Sequence, residues 1–234
     1  MTDIHSHILP FVDDGSDSYE KSIEMLKKHI SQGVKNVVLT PHFRMGSFAL
    51  GNDKIIEEFN NFKEKVKEEL PSIDLYLGRE ITLYRDMISD VEKGNFLPIN
   101  NGKFVLIEFP YVNEVDADEI CYRVRLAGFI PIVAHVERYD YLRKANLVEQ
   151  LRKNGAVIQI NAHSVARKDR KEEAKFAKII LKKRLVDVVA SDIHYNREDV
   201  LGEAYKKACK KYGEEYADLI FKINPERILC LDKK

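Results

Sequence analysis

Histidine and acidic residues recur close to the ends of the strands that the sequence predicts. His5 and His7 are two positions apart, and Asp192 and His194 repeat that spacing near the other end of the chain. Alternate side chains of a strand point to the same face, so each pair presents two donor groups to one side. Imidazoles and carboxylates without thiolates suit zinc, manganese or iron. The full set of candidate donors is His5, His7, Asp14, His42, Glu80, Glu108, His135, Asp192 and His194.

Seven β-rich stretches alternate with helical stretches and would position these donors. The predicted strands are Asp3–Ile8, Asn36–Thr40, Asp74–Glu80, Phe104–Phe109, Ile130–His135, Ala156–Asn161 and Val186–Ser191. The predicted helices are Ser18–Gln32, Ile55–Leu70, Asp86–Lys93, Asp116–Ala127, Leu147–Lys153, Arg170–Lys183 and Arg197–Tyr212. Near-continuous apolar strands are typical of a parallel sheet that is buried on both faces. The pattern predicts an α/β fold with a closed or nearly closed TIM-like barrel, and an open doubly wound sheet is the alternative.

A parallel barrel brings the carboxyl ends of its strands to one mouth, where catalytic groups collect. Each candidate donor alone is more simply explained as a hydrogen-bonded or solvated side chain. Several carboxylates that are buried together, however, lose hydration and repel one another unless a counter-charge is present. The nine donors therefore predict two or three divalent ions, a cluster that acidifies water and clamps the oxygens of a phosphoryl group.

Composition limits the class of protein. The 234 residues include 38 basic and 38 acidic side chains, and 44% are hydrophobic, which is a globular balance. We expect a single domain over residues 1–234, and zero net charge argues against a nucleic-acid partner. No apolar run reaches the length of a membrane helix, and the first residues do not resemble a signal peptide. Three widely spaced cysteines favour a reducing, cytoplasmic location.

The donors lie in motifs that match a known family. In order, these are DIHSHILP at 3–10, VDDGS at 12–16, TPH at 40–42, GRE at 78–80, IEF at 107–109, AHVERY at 134–139 and SDIH at 191–194. Together they resemble the PHP (polymerase and histidinol phosphatase) superfamily. Within it, the chain is similar to the bacterial manganese-dependent protein-tyrosine phosphatases of capsule and exopolysaccharide clusters. The resemblance implies a distorted (β/α)7 barrel.

The resemblance also implies three metal sites and a substrate-binding arginine pair. His5, His7 and Asp192 would hold the first ion, and Glu80 would bridge to a second ion completed by Glu108 and His135. Asp14, His42 and His194 would hold the third. Arg138 matches an arginine that contacts the substrate phosphate, and Arg197 matches a second one. The implied cofactor is manganese, with iron or zinc as alternatives.

The activity implied by this resemblance is hydrolysis of protein phosphotyrosine by metal-bound hydroxide. The implied substrate is the tail of a bacterial tyrosine kinase that controls polysaccharide synthesis. Two alternatives share the donor set: a small-molecule phosphatase of the histidinol-phosphate or nucleoside-phosphate type, and a metal-stabilised binding module without activity. A covered pocket would favour the small molecule and an open mouth the protein, and the segment Phe43–Asn52 is the expected wall.

Three other features have less defined roles. His163 is interpreted as an additional donor or a loop residue, and His29 as a surface or packing residue. The basic run of Arg167, Lys168, Arg170 and Lys171 is either solvated surface or a docking site for an acidic phosphotyrosine tail.

Overall fold

The computed structural model describes residues 1–111, 113–167 and 170–230. Within these ranges, nine short strands all pair in parallel. The strands are β1 Thr2–Asp3, β2 Asn36–Leu39, β3 His42–Phe43, β4 Asp74–Leu77, β5 Glu80–Thr82, β6 Phe104–Glu108, β7 Ile130–Val133, β8 Val157–Asn161 and β9 Val188–Ala190. Lys168, part of the basic run, lies outside the described residues.

Helices follow most strands. They are α1 Tyr19–Ser31, α2 Asn52–Glu69, α3 Met87–Glu92, α4 Ala117–Leu126, α5 Ala145–Lys153, α6 Ala162–Ala166, α7 Lys171–Lys182, α8 Leu201–Tyr212, α9 Glu214–Asp218 and α10 Asn224–Ile228. A π-helical turn spans Leu219–Ile223, and 3₁₀ turns span Ile99–Asn101, Val136–Arg138 and Asp140–Leu142. Throughout the described ranges, every helix is too short or too polar to cross a membrane.

Two sheets form the barrel wall. One has the order β1-β2-β4 and the other the order β3-β5-β6-β7-β8-β9. Ser6, beyond β1, forms a parallel bridge with Ile193, beyond β9, and the His7 amide donates a 3.0 Å hydrogen bond to Ile193. The Thr40 amide, beyond β2, donates to the Ser6 carbonyl at 2.9 Å. The first and last strand segments therefore meet, and the predicted (β/α)7 type of barrel is confirmed.

Each predicted strand is longer than its counterpart in the structure, and two of them also differ in form. The predicted strand Asp3–Ile8 is regular only in β1, because polar side chains replace its ladder hydrogen bonds: the Ser6 amide donates to Thr40 Oγ1 and the Ser6 hydroxyl to the Val38 carbonyl. The predicted strand Asp74–Glu80 is divided into β4 and β5, which belong to different sheets. Gly78 lies at this division, where an added Cβ would come within 3.2 Å of the Ile99 backbone.

Apolar side chains fill the barrel and separate it from the helices. The interior cluster is Ile4, Val38, Ile99, Leu106, Ile132, Ala134, Val188, Ala190, Ile228 and Leu229. Ile228 and Leu229 come from α10 and the residue after it, an element that the sequence pattern did not predict. This plug fills the barrel below its mouth, so the polar donors lie above a packed apolar floor.

His29 of α1 is fully buried between two carboxylates, so of its two interpretations the surface one is wrong and the packing one is correct. Its Nε2 atom lies 2.9 Å from Asp3 Oδ2, and its Nδ1 atom contacts the Asp199 carboxylate. The Ser191 amide and hydroxyl donate to Asp3 at 3.0 and 2.5 Å. Burial alone would lower the pKa of His29, but Asp199 and Asp3 raise it to about 10. This buried cation joins α1 to β1 and to the segment before α8.

We expect the stabilising effect of His29 to depend on pH. Its folded-state pKa of about 10 exceeds the ordinary value of 6.5, so its contribution is complete below pH 6.5 and is lost as pH rises to about 10. A shift of this size corresponds to roughly 3–5 kcal/mol. In urea unfolding of the metal-free protein, the free-energy gap between the parent and His29→Gln should shrink by about that amount between pH 6 and pH 10. A gap that stays constant with pH would contradict the charged state of His29.

Candidate metal centre

The structure brings the nine candidate donors together at the carboxyl ends of the strands. Eight are buried, and Asp14 is the exposed member, with 54% of its side chain accessible. Among the described residues, donor atoms within 4.8 Å of one another form three groups: His7, Asp14, His42 and His194; His5, His7 and Glu80; and His42, Glu80 and Glu108. The groups share members and contain seven of the nine donors. The other two adjoin them, because His135 Nε2 lies 2.9 Å from Glu80 and Asp192 Oδ1 lies 3.4 Å from His7.

Glu80, the first residue of β5, lies at the centre of this cluster. Its Oε1 atom is 3.3 Å from His5 Nε2 and 2.9 Å from His135 Nε2. Its Oε2 atom is 3.4 Å from His7 Nε2 and 2.8 Å from His42 Nδ1. One carboxylate therefore faces four imidazoles, an arrangement that suits a ligand shared between ions.

Asp192 completes the arrangement around His5 and His7. Its Oδ1 atom lies 3.6 Å from His5 Nε2 and 3.4 Å from His7 Nε2, and these two nitrogens are 3.2 Å apart. With Glu80 facing the same nitrogens, four donors surround a common point. These are the four residues that the resemblance assigns to the first site and its bridge.

The remaining donors lie on two sides of this point. Asp14 Oδ1 is 3.6 Å from the Nε2 atoms of both His42 and His194. On the other side, His135 Nε2 lies 4.0 Å from Glu108 Oε1. His42 also groups with Glu80 and Glu108, so the distances alone do not divide the cluster into the three sites that the resemblance implies.

Two of the donor residues have backbone conformations that residues other than glycine rarely adopt. His135 and Asp192 follow β7 and β9, and their φ angles are 31° and 49°. A left-handed conformation at residues other than glycine costs about 1–3 kcal/mol and is concentrated at functional sites. Here it turns the chain at the end of each strand, so that both side chains enter the cluster.

The donor set fits divalent cations. Burial alone would raise the pKa of Glu80, but His5 and His42 hold it well below its ordinary value. Burial likewise opposes ionisation of Asp192, and His5 and His7 lower its pKa well below the usual range. Glu80 Oε2 and His42 Nδ1 are buried but form no hydrogen bond with any described residue. A divalent cation beside Glu80 would accept a lone pair of this unpartnered Oε2 atom.

Sequence analysis missed the residues that orient two of the histidines. Asp13 Oδ2 lies 2.8 Å from His7 Nδ1, and Gln159 Oε1 lies 3.2 Å from His5 Nδ1. Each contact fixes the orientation of the imidazole ring so that Nε2 faces the cluster. Hydrogen-bond partners of metal-binding histidines commonly have this effect. Gly15 lets the Asp13 loop approach, because an added Cβ there would lie 2.0 Å from the His7 carbonyl oxygen.

Hydrogen bonds from neighbouring side chains also orient two of the acidic donors, Asp192 and Glu108. Asn161 Nδ2 donates to Asp192 Oδ2 at 2.7 Å. Glu108 accepts hydrogen bonds from Thr82 and Tyr111 hydroxyls, both at 2.6 Å, and from Arg44 Nη2 at 2.9 Å. Gln159 and Asn161 have the same two-residue spacing as His5 and His7 inside an apolar strand, a signal that could have identified them.

Both candidate arginines lie beside the cluster. Arg138 Nη1 donates to Asp192 Oδ2 at 3.4 Å, and Arg197 Nη1 donates to the same oxygen at 3.3 Å. The Arg138 guanidinium stacks 4.7 Å above the Tyr111 ring. These residues line a cavity of about 480 Å³ that adjoins the donor cluster. Two guanidinium groups next to a cationic site would bind an anion such as a phosphoryl group.

The segment after β3 covers the opposite side of the mouth. Arg44 and Phe48 pair in an antiparallel bridge, and the Phe48 ring stacks on His42 with a centroid distance of 5.8 Å. The expected wall at Phe43–Asn52 therefore covers the His42 side and leaves the arginine cavity on the other. His163 lies in α6 rather than in a loop, and it belongs to none of the three donor groups.

Comparisons with known proteins find relatives over nearly the whole chain. The family model described as "Capsular polysaccharide synthesis, CpsB/CapC" matches residues 1–230. The chain is 35% identical to the tyrosine-protein phosphatase CpsB of Streptococcus pneumoniae over 98% of both chains. It is 34% identical to the tyrosine-protein phosphatase YwqE of Bacillus subtilis, over 92% of this chain and 86% of that one.

Solved structures show the same relationship. A chain from the crystal structures of Bacillus subtilis YwqE and Streptococcus pneumoniae CpsB, described as unique metal-dependent tyrosine phosphatases, superposes with a TM-score of 0.91. It is 31% identical and covers 98% of this chain and 94% of its own. A histidinol phosphate phosphatase of Lactococcus lactis, 13% identical, superposes with a TM-score of 0.57 over 94% of this chain and 95% of its own, and so shares the fold.

Proposed function

Because the chain belongs to the CpsB/CapC family of capsular polysaccharide synthesis, we propose that it is a metal-dependent protein-tyrosine phosphatase. The observation that carries the proposal is the buried cluster of imidazoles and carboxylates beside a cavity lined by Arg138 and Arg197. The proposal includes manganese as the metal, a cytoplasmic location for this chain and a bacterial tyrosine kinase of polysaccharide synthesis as the substrate. Family membership supports these finer points.

The donors divide the work of holding the ions. We assign His5, His7, Glu80 and Asp192 to one ion; Glu80, Glu108 and His135 to a second; and Asp14, His42 and His194 to a third. Bound divalent ions would acidify a water molecule and neutralise the charge on the transferred phosphoryl group. Glu80 would hold two of these ions, because its carboxylate faces His5 and His7, which are assigned to the first ion, and His135, which is assigned to the second.

The arginines would bind and orient the substrate phosphate. Their guanidinium groups already contact Asp192, so they are held at the edge of the donor cluster before substrate arrives. Preorganised cations stabilise charge in the transition state without reorganising during the reaction. Neither arginine is a proton donor, because a guanidinium remains protonated in proteins. The leaving group must therefore depart without a strong acid, which favours phenolate, with a pKa near 10, over an alkoxide.

The test is a comparison of phosphate esters. With manganese present, a phosphotyrosine peptide should be hydrolysed at least about tenfold faster, in kcat/KM, than the same peptide carrying phosphoserine. Histidinol phosphate, an alkyl ester of a metabolite, should also be a poor substrate. Equal turnover of the two peptides, or a preference for histidinol phosphate, would contradict the proposal and favour the small-molecule phosphatase.

A further inference from the structure

Positive charge is concentrated in two stretches of the sequence. Residues 167–184 contain nine lysines and arginines against three acidic residues, and residues 201–212 contain four against one. The whole chain has a net charge of zero. The rest of the chain is therefore net negative, and this charge asymmetry would steer an anionic partner to one side of the molecule.

Four exposed cations line one shallow depression in this region, and one of them, Lys207, is paired with Glu203. Arg167 follows α6, Lys178 lies in α7 and Lys211 lies near the end of α8, and all three line it. None of the three forms an ion pair with a residue in the described part of the chain. Partial burial, together with the charges of Arg167 and Lys178, lowers the pKa of Lys211. These three positive charges repel one another, and an anion bound among them would reduce this repulsion.

Helix α7 connects this depression to the arginine cavity. Arg170, at the start of the helix, lines the cavity together with Arg138 and Arg197. Lys178 follows Arg170 by eight residues, which places the two about 80° apart around the helix axis, and Ala174, which also lines the depression, lies between them. The rise of a helix places them about 12 Å apart. A single chain bound in the cavity could therefore continue along α7 to the depression.

We propose that the basic face formed by Arg167, Lys178 and Lys211 docks an acidic segment of the substrate protein. This inference rests on the proposed function, because it requires the phosphotyrosine to occupy the arginine cavity. An extended peptide spans 12 Å in about four residues. The acidic residues should thus lie at least about four positions from the phosphotyrosine, too far away to be part of a small metabolite.

Three phosphotyrosine peptides of equal length test this docking. One carries three glutamates five to seven positions before the phosphotyrosine, one carries them after it, and one carries glutamines at both places. At low ionic strength, one of the glutamate peptides should have a kcat/KM at least about fivefold above that of the glutamine peptide. The ratio should approach one in about 0.5 M NaCl, because salt screens exposed charges.

The double variant Lys178→Glu/Lys211→Glu should reduce the ratio to one or below. The matched control Lys67→Glu/Lys103→Glu makes the same charge change at exposed lysines of α2 and of the segment before β6, which do not line the depression, and it should keep the parental ratio. Each ratio is taken within one protein, so a general loss of activity does not affect it. Equal kcat/KM for all three peptides would overturn the docking proposal, whereas no hydrolysis of any peptide would overturn the proposed function.

Discussion

Substitution of Glu80 by glutamine is expected to lower kcat/KM for a phosphotyrosine peptide by at least about 10³-fold. Glutamine keeps the shape of the side chain but removes the negative charge that faces four imidazoles at 2.8–3.4 Å. An amide nitrogen in place of one oxygen also cannot hold a second ion. The measurement is steady-state hydrolysis with manganese in excess.

A second readout separates loss of metal from loss of fold. The number of ions bound to Glu80→Gln, measured by mass spectrometry of the intact protein under native conditions, should fall by at least one. Its thermal unfolding without metal should remain cooperative. The control Glu64→Gln changes an exposed glutamate of α2 and should keep parental metal content and activity. Parental ion content in Glu80→Gln would exclude its role as a shared ligand.

The donors were predictable because their signal is local. The pairs His5–His7 and Asp192–His194 combine a two-residue period with apolar flanks, and strand polarity then sends their side chains to one mouth. No knowledge of distant contacts is needed for that step. The same reasoning applied to Gln159 and Asn161 would have placed both in the barrel interior. Asparagine and glutamine are common outside metal sites, so their presence in a strand indicates a metal site less strongly than histidine does.

Other residues were unpredictable because their partners are remote in sequence. His29 is buried by Asp3 and by Asp199, which follows it by 170 positions. A helical pattern shows only that one face is apolar, and it does not show which carboxylates meet a polar residue on that face. Asp13 and Asp14 are adjacent, so sequence alone does not show which of them forms a hydrogen bond with His7. The close approach of Gly15 to His7 determines that it is Asp13. Tertiary packing, not spacing, decides these cases.

The barrel was likewise predictable in type but not in detail. Apolar strands alternating with helices indicated a parallel barrel, and the structure has one. The division into β4 and β5 depends on the close contact of Gly78 with Ile99, which belongs to a 3₁₀ turn more than twenty residues later. The α10 plug also escaped prediction, because a five-residue helix has too few turns to show a period.

Replacement of Arg138 by alanine is expected to reduce kcat/KM by about 10²–10³-fold, the usual effect of removing one preorganised donor to a transition-state oxyanion. Arg138→Lys should recover only part of this loss. Lysine keeps the charge, but it cannot stack its head group on Tyr111 or offer two parallel N–H groups to a phosphoryl group. Arg197→Lys, at a side chain that is 40% exposed rather than 26%, should have a smaller effect. All variants are compared on one phosphotyrosine peptide.

The pH profile distinguishes phosphate binding by Arg138 from proton donation. Burial would lower the pKa of Arg138, but Tyr111 and Asp192 raise it above its already high ordinary value, so the group stays charged throughout the assay range. The ratio of kcat/KM between the parent and Arg138→Lys should therefore be constant from pH 6 to pH 9. Inhibition by inorganic phosphate should weaken in Arg138→Lys, since the lost contact is to phosphate oxygens. A ratio that changed steeply with pH, together with unaltered phosphate inhibition, would assign Arg138 to proton transfer instead.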